Sequence, residues 1–151
     1  MFVTRQKTPV PIQLVPPEDD HANDPKNVRE LSLEDLYQVG EKLCEENKLI
    51  IKDRVSVSDN EVYWITESAN EFFFGNYVMG FFKTDIEHPF VSLPTIFEFK
   101  DFVKSVTSSK GFFFTTGYFT KDVYQPLEGP KVTLYNRVKI LNEFKRFNLT
   151  V

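Results

Sequence analysis

Gly111-Phe112-Phe113-Phe114-Thr115-Thr116-Gly117-Tyr118-Phe119-Thr120 is the most informative stretch of this 151-residue chain. Its three successive phenylalanines are typical of a strand that is buried on both faces. Two further runs, Phe72-Phe73-Phe74 and Phe81-Phe82, predict buried strand in the same way. We therefore expect the phenylalanine runs to pack in a protein core, and not to form exposed platforms on which single-stranded bases stack.

Helical patterns lie on either side of these strands. Ser32, followed three residues later by Asp35, has the spacing of a capping box that begins a helix. Thr95 and Glu98 have the same spacing, which predicts a second helix that ends at Lys110-Gly111. The remaining predicted elements are strands at 49–57, 61–66, 76–83, 112–116 and 131–135 and a closing helix at 137–147.

The order of these elements, α-β-β-β-α-β-(α)-β-α, predicts an α/β fold. The element in parentheses is a short helix or turn within residues 120–127. Three strands joined by short turns form an antiparallel meander, and the later β-α-β order requires a parallel crossover connection. Together they predict a mixed β-sheet that is flanked by helices on both faces.

Residues 1–30 differ in composition from the rest of the chain. They contain five of the nine prolines and the acidic run Glu18-Asp19-Asp20. A proline-rich segment with few apolar residues cannot bury enough surface to offset the entropy lost on ordering. We expect a disordered or loosely packed tail at 1–30, which a partner could order on binding, and one folded domain at 31–151.

Charge and composition disfavour several classes of function. The chain has 18 Lys and Arg against 22 Asp and Glu, so binding of nucleic acid through bulk positive charge is disfavoured. Cys44 and two histidines supply neither a disulfide framework nor a Cys- or His-based metal site. No apolar run reaches the roughly 18 residues of a membrane helix, so no membrane contact is expected. The lack of an apolar signal core predicts an intracellular protein, in the nucleus, cytoplasm or mitochondrion.

The C-terminal half carries a resemblance to a known family. The buried strand runs into Thr115-Thr116, then Phe119-Thr120 and a short helix, and Val132-Thr133-Leu134-Tyr135-Asn136 and Ile140-Leu141 follow. This arrangement resembles the Mrr-like restriction endonucleases, a branch of the PD-(D/E)xK nuclease superfamily. The resemblance covers residues 31–149 and implies a restriction-endonuclease-like fold.

The catalytic signature of that family is the part that differs. The family places an Asp on the second strand and a Glu/Gln-x-Lys on the third, where the carboxylates hold a divalent cation and the Lys orients water. Here residues 59–64 read Asp-Asn-Glu-Val-Tyr-Trp, with Tyr63 at the expected ligand position, and the third strand retains only Phe81-x-Lys83. A phenyl ring cannot ligate Mg²⁺. The resemblance therefore implies a nuclease fold without a metal site or any other cofactor.

A displaced active site is one alternative. Asp59, with Glu61 or Glu67 and with Lys83, could hold Mg²⁺ and make the protein a metal-dependent nuclease. The simpler interpretation is that Asp59 caps a turn and that Lys83 is a solvated residue at a strand end. Asp59, Glu61 and Lys83 are therefore weak catalytic candidates, and we lean toward a protein that is not an enzyme.

Hydroxyl and basic residues provide candidate contacts to nucleic acid. Thr115, Thr116 and Thr120 could donate to phosphate, although strand-end and capping roles are the favoured interpretation. The closing helix carries Arg137, Lys139, Lys145 and Arg146 against Glu143, a net charge of +3, and Lys131 precedes it. This basic face could bind DNA or RNA phosphate, bind an acidic partner or simply be solvated.

The sequence thus predicts a catalytically inactive nuclease-fold domain that serves as a nucleic-acid-associated binding or assembly subunit. One alternative is a pure protein–protein interaction scaffold within a larger complex, since a fold without an active site is free to take that role. The other is the metal-dependent nuclease described above. A protein partner or a homodimer is expected in addition to DNA or RNA.

Overall fold

The computed structural model describes residues 30–69 and 75–150. The predicted tail before Glu30 and the run Phe72-Phe73-Phe74 lie outside the described residues. The helices are α1 (Leu33–Asn47), α2 (Leu93–Ser105) and α3 (Arg137–Arg146), with a short 3₁₀ helix at Lys121–Tyr124. The strands are β1 (Leu49–Ser58), β2 (Glu61–Ser68), β3 (Asn76–Phe82), β4 (Phe90–Val91), β5 (Lys110–Thr115), β6 (Tyr118–Phe119) and β7 (Lys131–Tyr135).

The main sheet has five strands in the order β1-β2-β3-β5-β7. The pairs β1–β2 and β2–β3 are antiparallel, whereas β3–β5 and β5–β7 are parallel. The meander followed by crossover connections is the arrangement that the element order predicted, and the sheet is mixed as expected. A small parallel pair, β4 with β6, forms beside it and was not among the predicted strands.

Helices cover both faces of the sheet, as the buried strands require. On one face α1 and α3 pack over Trp64, Phe81 and Phe114. On the other face α2 packs over Tyr63 and Phe113. Because side chains alternate along a strand, consecutive phenylalanines of β5 supply both cores, which explains the run in the sequence.

The helix ends follow the predicted chemistry at α1 but not at α2. The Ser32 backbone N–H donates to the Asp35 carboxylate at 2.7 Å and the Asp35 N–H donates to the Ser32 hydroxyl at 3.2 Å, which confirms the capping box. The predicted cap at Thr95 is wrong, because Ser92 holds the N-cap position and Pro94, a residue favoured in a first turn, precedes Thr95. The Ser92 side chain makes no capping hydrogen bond. Thr107, at φ 54°, takes the left-handed position that ends the helix.

Lys110 and Gly111 therefore belong to β5 and do not end α2. Gly111 and Gly80 lie under the ring of Phe99, which α2 presses onto the sheet. A Cβ at Gly111 would lie 2.6 Å from Phe99 Cε2, and a Cβ at Gly80 would lie 2.8 Å from Phe99 Cε1. The two glycines thus set how closely α2 approaches the sheet.

Substitution of Gly111 by Ala should test this close approach. The added methyl group would overlap the Phe99 ring, and overpacking of a well-filled core costs about 1–3 kcal/mol. We expect the free energy of unfolding, measured by urea denaturation, to fall by that amount. Gly75→Ala is the matched control, since among the described residues the atoms nearest to its Cβ belong to Tyr77 and lie at 3.4 Å or more. Equal stability of the two variants would contradict the proposed role of Gly111.

Candidate functional site

Glu61, the first residue of β2, is buried on the α2 face of the sheet. It lies opposite Phe82 in the β2–β3 register, and the Tyr63 hydroxyl donates to its carboxylate at 3.1 Å. Burial raises the pKa of the Glu61 carboxyl, although the hydrogen bond from Tyr63 partly offsets this. Burial, together with the neighbouring Glu61 carboxylate, also raises the pKa of the Tyr63 hydroxyl. The hydrogen bond from the buried Tyr63 therefore fixes the position of the Glu61 carboxylate.

Lys83 lies on the opposite face of the sheet from Glu61. Its neighbour Phe82 pairs with Glu61, and successive side chains of a strand point to opposite faces. Lys83 Nζ donates to Glu30 Oε2 at 2.9 Å, beside the start of α1. The structure thus does not bring Lys83 together with Glu61.

The other acidic candidates are also apart. Asp59 lies in the exposed two-residue turn between β1 and β2. Glu67 is exposed near the far end of β2, where it pairs with Asn76. Within the ranges that the structure describes, no three His, Cys, Asp or Glu side chains are grouped so as to hold a metal ion.

Phe81 occupies the position two residues before Lys83, where the nuclease motif has its acid or amide. Its ring is fully buried, with centroids 4.4 Å from Trp64 and 5.1 Å from Phe114. These residues offer no oxygen ligand, so this part of the sheet does not fit Mg²⁺. The position is part of the hydrophobic core under α1.

The two adjacent threonines of the informative stretch are internal. Thr115 is fully buried, and its hydroxyl accepts from the Gly117 N–H at 3.1 Å. The Thr116 hydroxyl accepts from the Thr84 N–H at 3.0 Å and is also buried. Both hydroxyls are thus engaged inside the protein, and their role as nucleic-acid contacts stays a prediction. The Thr120 hydroxyl is partly exposed and bonds to Asp122 at 2.5 Å.

The predicted basic face divides into two groups. Arg146 forms a bidentate pair with Glu46 at 2.6 and 3.0 Å and a further bond to Glu143 at 2.6 Å. The two carboxylates raise the pKa of the Arg146 guanidinium, and they neutralise its charge while tying α3 to α1. Lys145 is exposed beside Arg146. Arg137 begins α3 at the opposite end, where its backbone N–H donates to the Gly117 carbonyl at 2.7 Å.

Lys131 and Lys139, by contrast, line one cleft of about 380 Å³ together with Lys100. The cleft lies between α2, the 3₁₀ helix, β7 and the start of α3. Its other lining side chains are mainly apolar, and Tyr124 and Gln125 add two polar groups. None of the described lining residues is acidic. Lys139 Nζ also donates to the Leu134 carbonyl at 3.2 Å. We call this the lysine cleft.

Lys100 is the member of the lysine cleft that sequence reasoning missed. Only 7% of it is exposed, and its ammonium group donates to the carbonyls of Glu128 at 2.9 Å and Pro130 at 2.8 Å. Gly129, at φ +93°, lies between those carbonyls and allows both to face the ammonium. Burial lowers the pKa of Lys100. The available signal was its position four residues after Ile96, within the apolar face of α2.

Comparison with known proteins supports the fold. No protein-family model matches the chain, and no curated protein matches it in sequence. Among solved structures, the DNA modification-dependent restriction endonuclease AspBHI is similar, with a TM-score of 0.51 and 12% sequence identity. The match covers 79% of this chain and 37% of that chain. The five-stranded mixed sheet with its flanking helices is thus a restriction-endonuclease-like fold, as predicted.

In the ranges 30–69 and 75–150, no helix has both the length and the apolar character that crossing a bilayer requires.

Glu61→Gln should reveal the cost of burying this carboxylate. A raised pKa in the folded state means that ionised Glu61 destabilises the fold, and this penalty disappears as the pH falls below the ordinary value of 4.5. Gln keeps an acceptor for the Tyr63 hydroxyl but carries no charge. We expect Glu61→Gln to be more stable than the parent at neutral pH and equally stable in acid, measured by thermal unfolding.

Glu67→Gln is the control for Glu61→Gln, because it changes an exposed residue of the same strand. Its unfolding temperature should match that of the parent at both pH values. If Glu61→Gln instead lost stability at neutral pH, the ionised carboxylate would be making a stabilising interaction that outweighs the cost of its burial.

Proposed function

We propose that this chain is a non-catalytic, Mrr-like nuclease-fold domain, intracellular, that binds nucleic acid as a binding or assembly subunit. The observation that carries the proposal is the lysine cleft, which is lined by three lysines and by no acidic residue. Phosphate contacts of Lys and Arg supply most of the affinity in non-specific nucleic-acid binding.

The non-catalytic part of the proposal rests on the motif positions. Phe81 is packed among aromatic rings, and Lys83 is engaged by Glu30. Glu61 is on the opposite face from Lys83 and is bonded to Tyr63. Hydrolysis by this fold family needs carboxylate oxygens that hold a cation beside the lysine. We therefore propose that the domain binds without cutting.

The proposal that the ligand is nucleic acid depends on which basic side chains remain available to contact phosphate. Arg146 is neutralised by two carboxylates, so we assign the contact surface to Lys100, Lys131 and Lys139. The similar solved structure is named as a DNA modification-dependent enzyme. DNA is accordingly the first ligand to test, with RNA beside it.

The double variant Lys131→Gln/Lys139→Gln tests this surface. Each phosphate contact contributes about 0.9 to the slope of log affinity against log salt for duplexes and about 0.7 for single strands. We expect weaker binding at low salt and a slope that is shallower by about 1.4–1.8. Fluorescence anisotropy with single- and double-stranded DNA and RNA at several salt concentrations would measure both.

Lys42→Gln/Lys52→Gln is the matched control, since it removes the same charge from α1 and β1, at the other edge of the sheet. It should leave the slope unchanged. Equal losses in the two double variants would show that only net charge matters and would reject the lysine cleft. Product analysis on a gel with Mg²⁺ present should find uncut ligand, and cleavage that depends on Asp59 would reject the non-catalytic proposal.

A protein-interaction scaffold remains the second candidate because of β1. This edge strand leaves Ile50 and Val57 about half exposed, at 50% and 45%. Exposed apolar residues on an edge strand favour pairing with another chain or with a second copy. Binding through β1 would be insensitive to salt and would be weakened by Ile50→Lys, which distinguishes it from binding at the lysine cleft.

A further inference from the structure

We propose that the lysine cleft binds one nucleotide by its phosphomonoester, as at a phosphorylated end of a nucleic-acid strand. The inference deepens the proposed function and rests on it for the source of that nucleotide. A free nucleoside monophosphate has the same chemistry, so the experiment below includes it.

Lys100 provides the first argument. An ammonium group has three N–H donors, and carbonyls of Glu128 and Pro130 take two of them. In the part of the chain that the structure describes, no carboxylate pairs with Lys100, although the residue is only 7% exposed. Carbonyl dipoles orient the ammonium group but leave its full positive charge in place. The remaining donor and this charge call for an anion.

The combined charge of the cleft provides the second argument. Lys131 and Lys139 line the same cleft as Lys100, so three positive charges border one space. Such a site attracts an anion with two negative charges more strongly than an anion with one. A phosphodiester carries one charge, whereas a phosphomonoester carries about 1.5–2 at neutral pH. The cleft should therefore prefer a strand end to a strand interior.

Size and lining provide the third argument. About 380 Å³ is within the range of small-ligand sites and is too little for a duplex. The Tyr124 side chain is 48% exposed, and apolar residues such as Val132 and Leu134 line the cleft beside it. An aromatic ring on an apolar wall suits a base or sugar, since every base has a face that can stack. The lining thus fits a nucleotide better than inorganic phosphate alone.

The test compares the ends of one short single-stranded DNA. The full chain is titrated with versions that carry a phosphate at the 5′ end, a phosphate at the 3′ end, a methyl-blocked phosphate at the 5′ end, or hydroxyls only. We expect at least one phosphorylated end to bind about tenfold more tightly than the hydroxyl version, as one charge-assisted hydrogen bond allows. The methyl-blocked end, with one charge, should bind more weakly than the phosphorylated end that is preferred.

Variants locate the effect. Lys100→Met and Lys131→Gln should each remove most of the preference, whereas Lys104→Met, an exposed lysine on the same helix, should retain it. Lys100→Met leaves two carbonyls without their donor, so its unfolding temperature is checked first. If that variant does not fold, Lys131→Gln and Lys139→Gln carry the comparison, because both residues are exposed. If both of these variants kept the preference for a phosphorylated end, the assignment of that preference to the lysine cleft would be overturned.

Competition separates this inference from the proposed function. Deoxyadenosine monophosphate should displace the phosphorylated strand, and deoxyadenosine should not. Equal, salt-dependent binding of all four ends would overturn the inference and leave the proposed function standing. Binding of the monophosphate without any binding of strands would support the phosphomonoester site and reject the proposed function. Binding of neither the monophosphate nor any strand would overturn both.

Discussion

The contact of Phe99 with Gly80 and Gly111 is the constraint on which the rest of the α2 face depends. It fixes the distance between α2 and the two central strands, because no Cβ separates the ring from the backbone. The next residue of the helix is Lys100, whose ammonium group meets the loop carbonyls only if the helix lies at that depth. The shape of the lysine cleft therefore depends on the apolar contact between Phe99 and the two glycines.

Much of the fold could be predicted because it follows from local patterns. The phenylalanine runs predicted a sheet with two covered faces, and the capping box at Ser32 placed the start of α1. The ends of α2 could not be placed in the same way. Thr95 has the spacing of a cap, but the helix begins earlier, with Ser92 at the N-cap position and Pro94 in the first turn. Thr107 takes a conformation usually left to glycine. Such choices depend on tertiary packing, which spacing alone does not report.

The candidate site was harder to predict than the fold. Lys131 and Lys139 stood out by charge, but the sequence could not show that Glu46, from a distant helix, neutralises Arg146. Lys100 was missed because a lysine on an apolar face is ordinarily assigned to solvent, and its partners are carbonyls. Backbone acceptors leave no trace in a side-chain pattern. Sites built from long-range pairs and carbonyls therefore need coordinates.

The burial of Phe81 also bears on how such a domain can change over evolution. Its ring touches Trp64 and Phe114, and Gly40 of α1 leaves the space that the ring fills. A glutamate at this position would place an unpaired charge among aromatic rings, at a cost in folding that precedes any gain in activity. A carboxylate at this position would therefore need compensating changes at its neighbours. The substitutions that position 81 tolerates singly should be apolar residues of similar size.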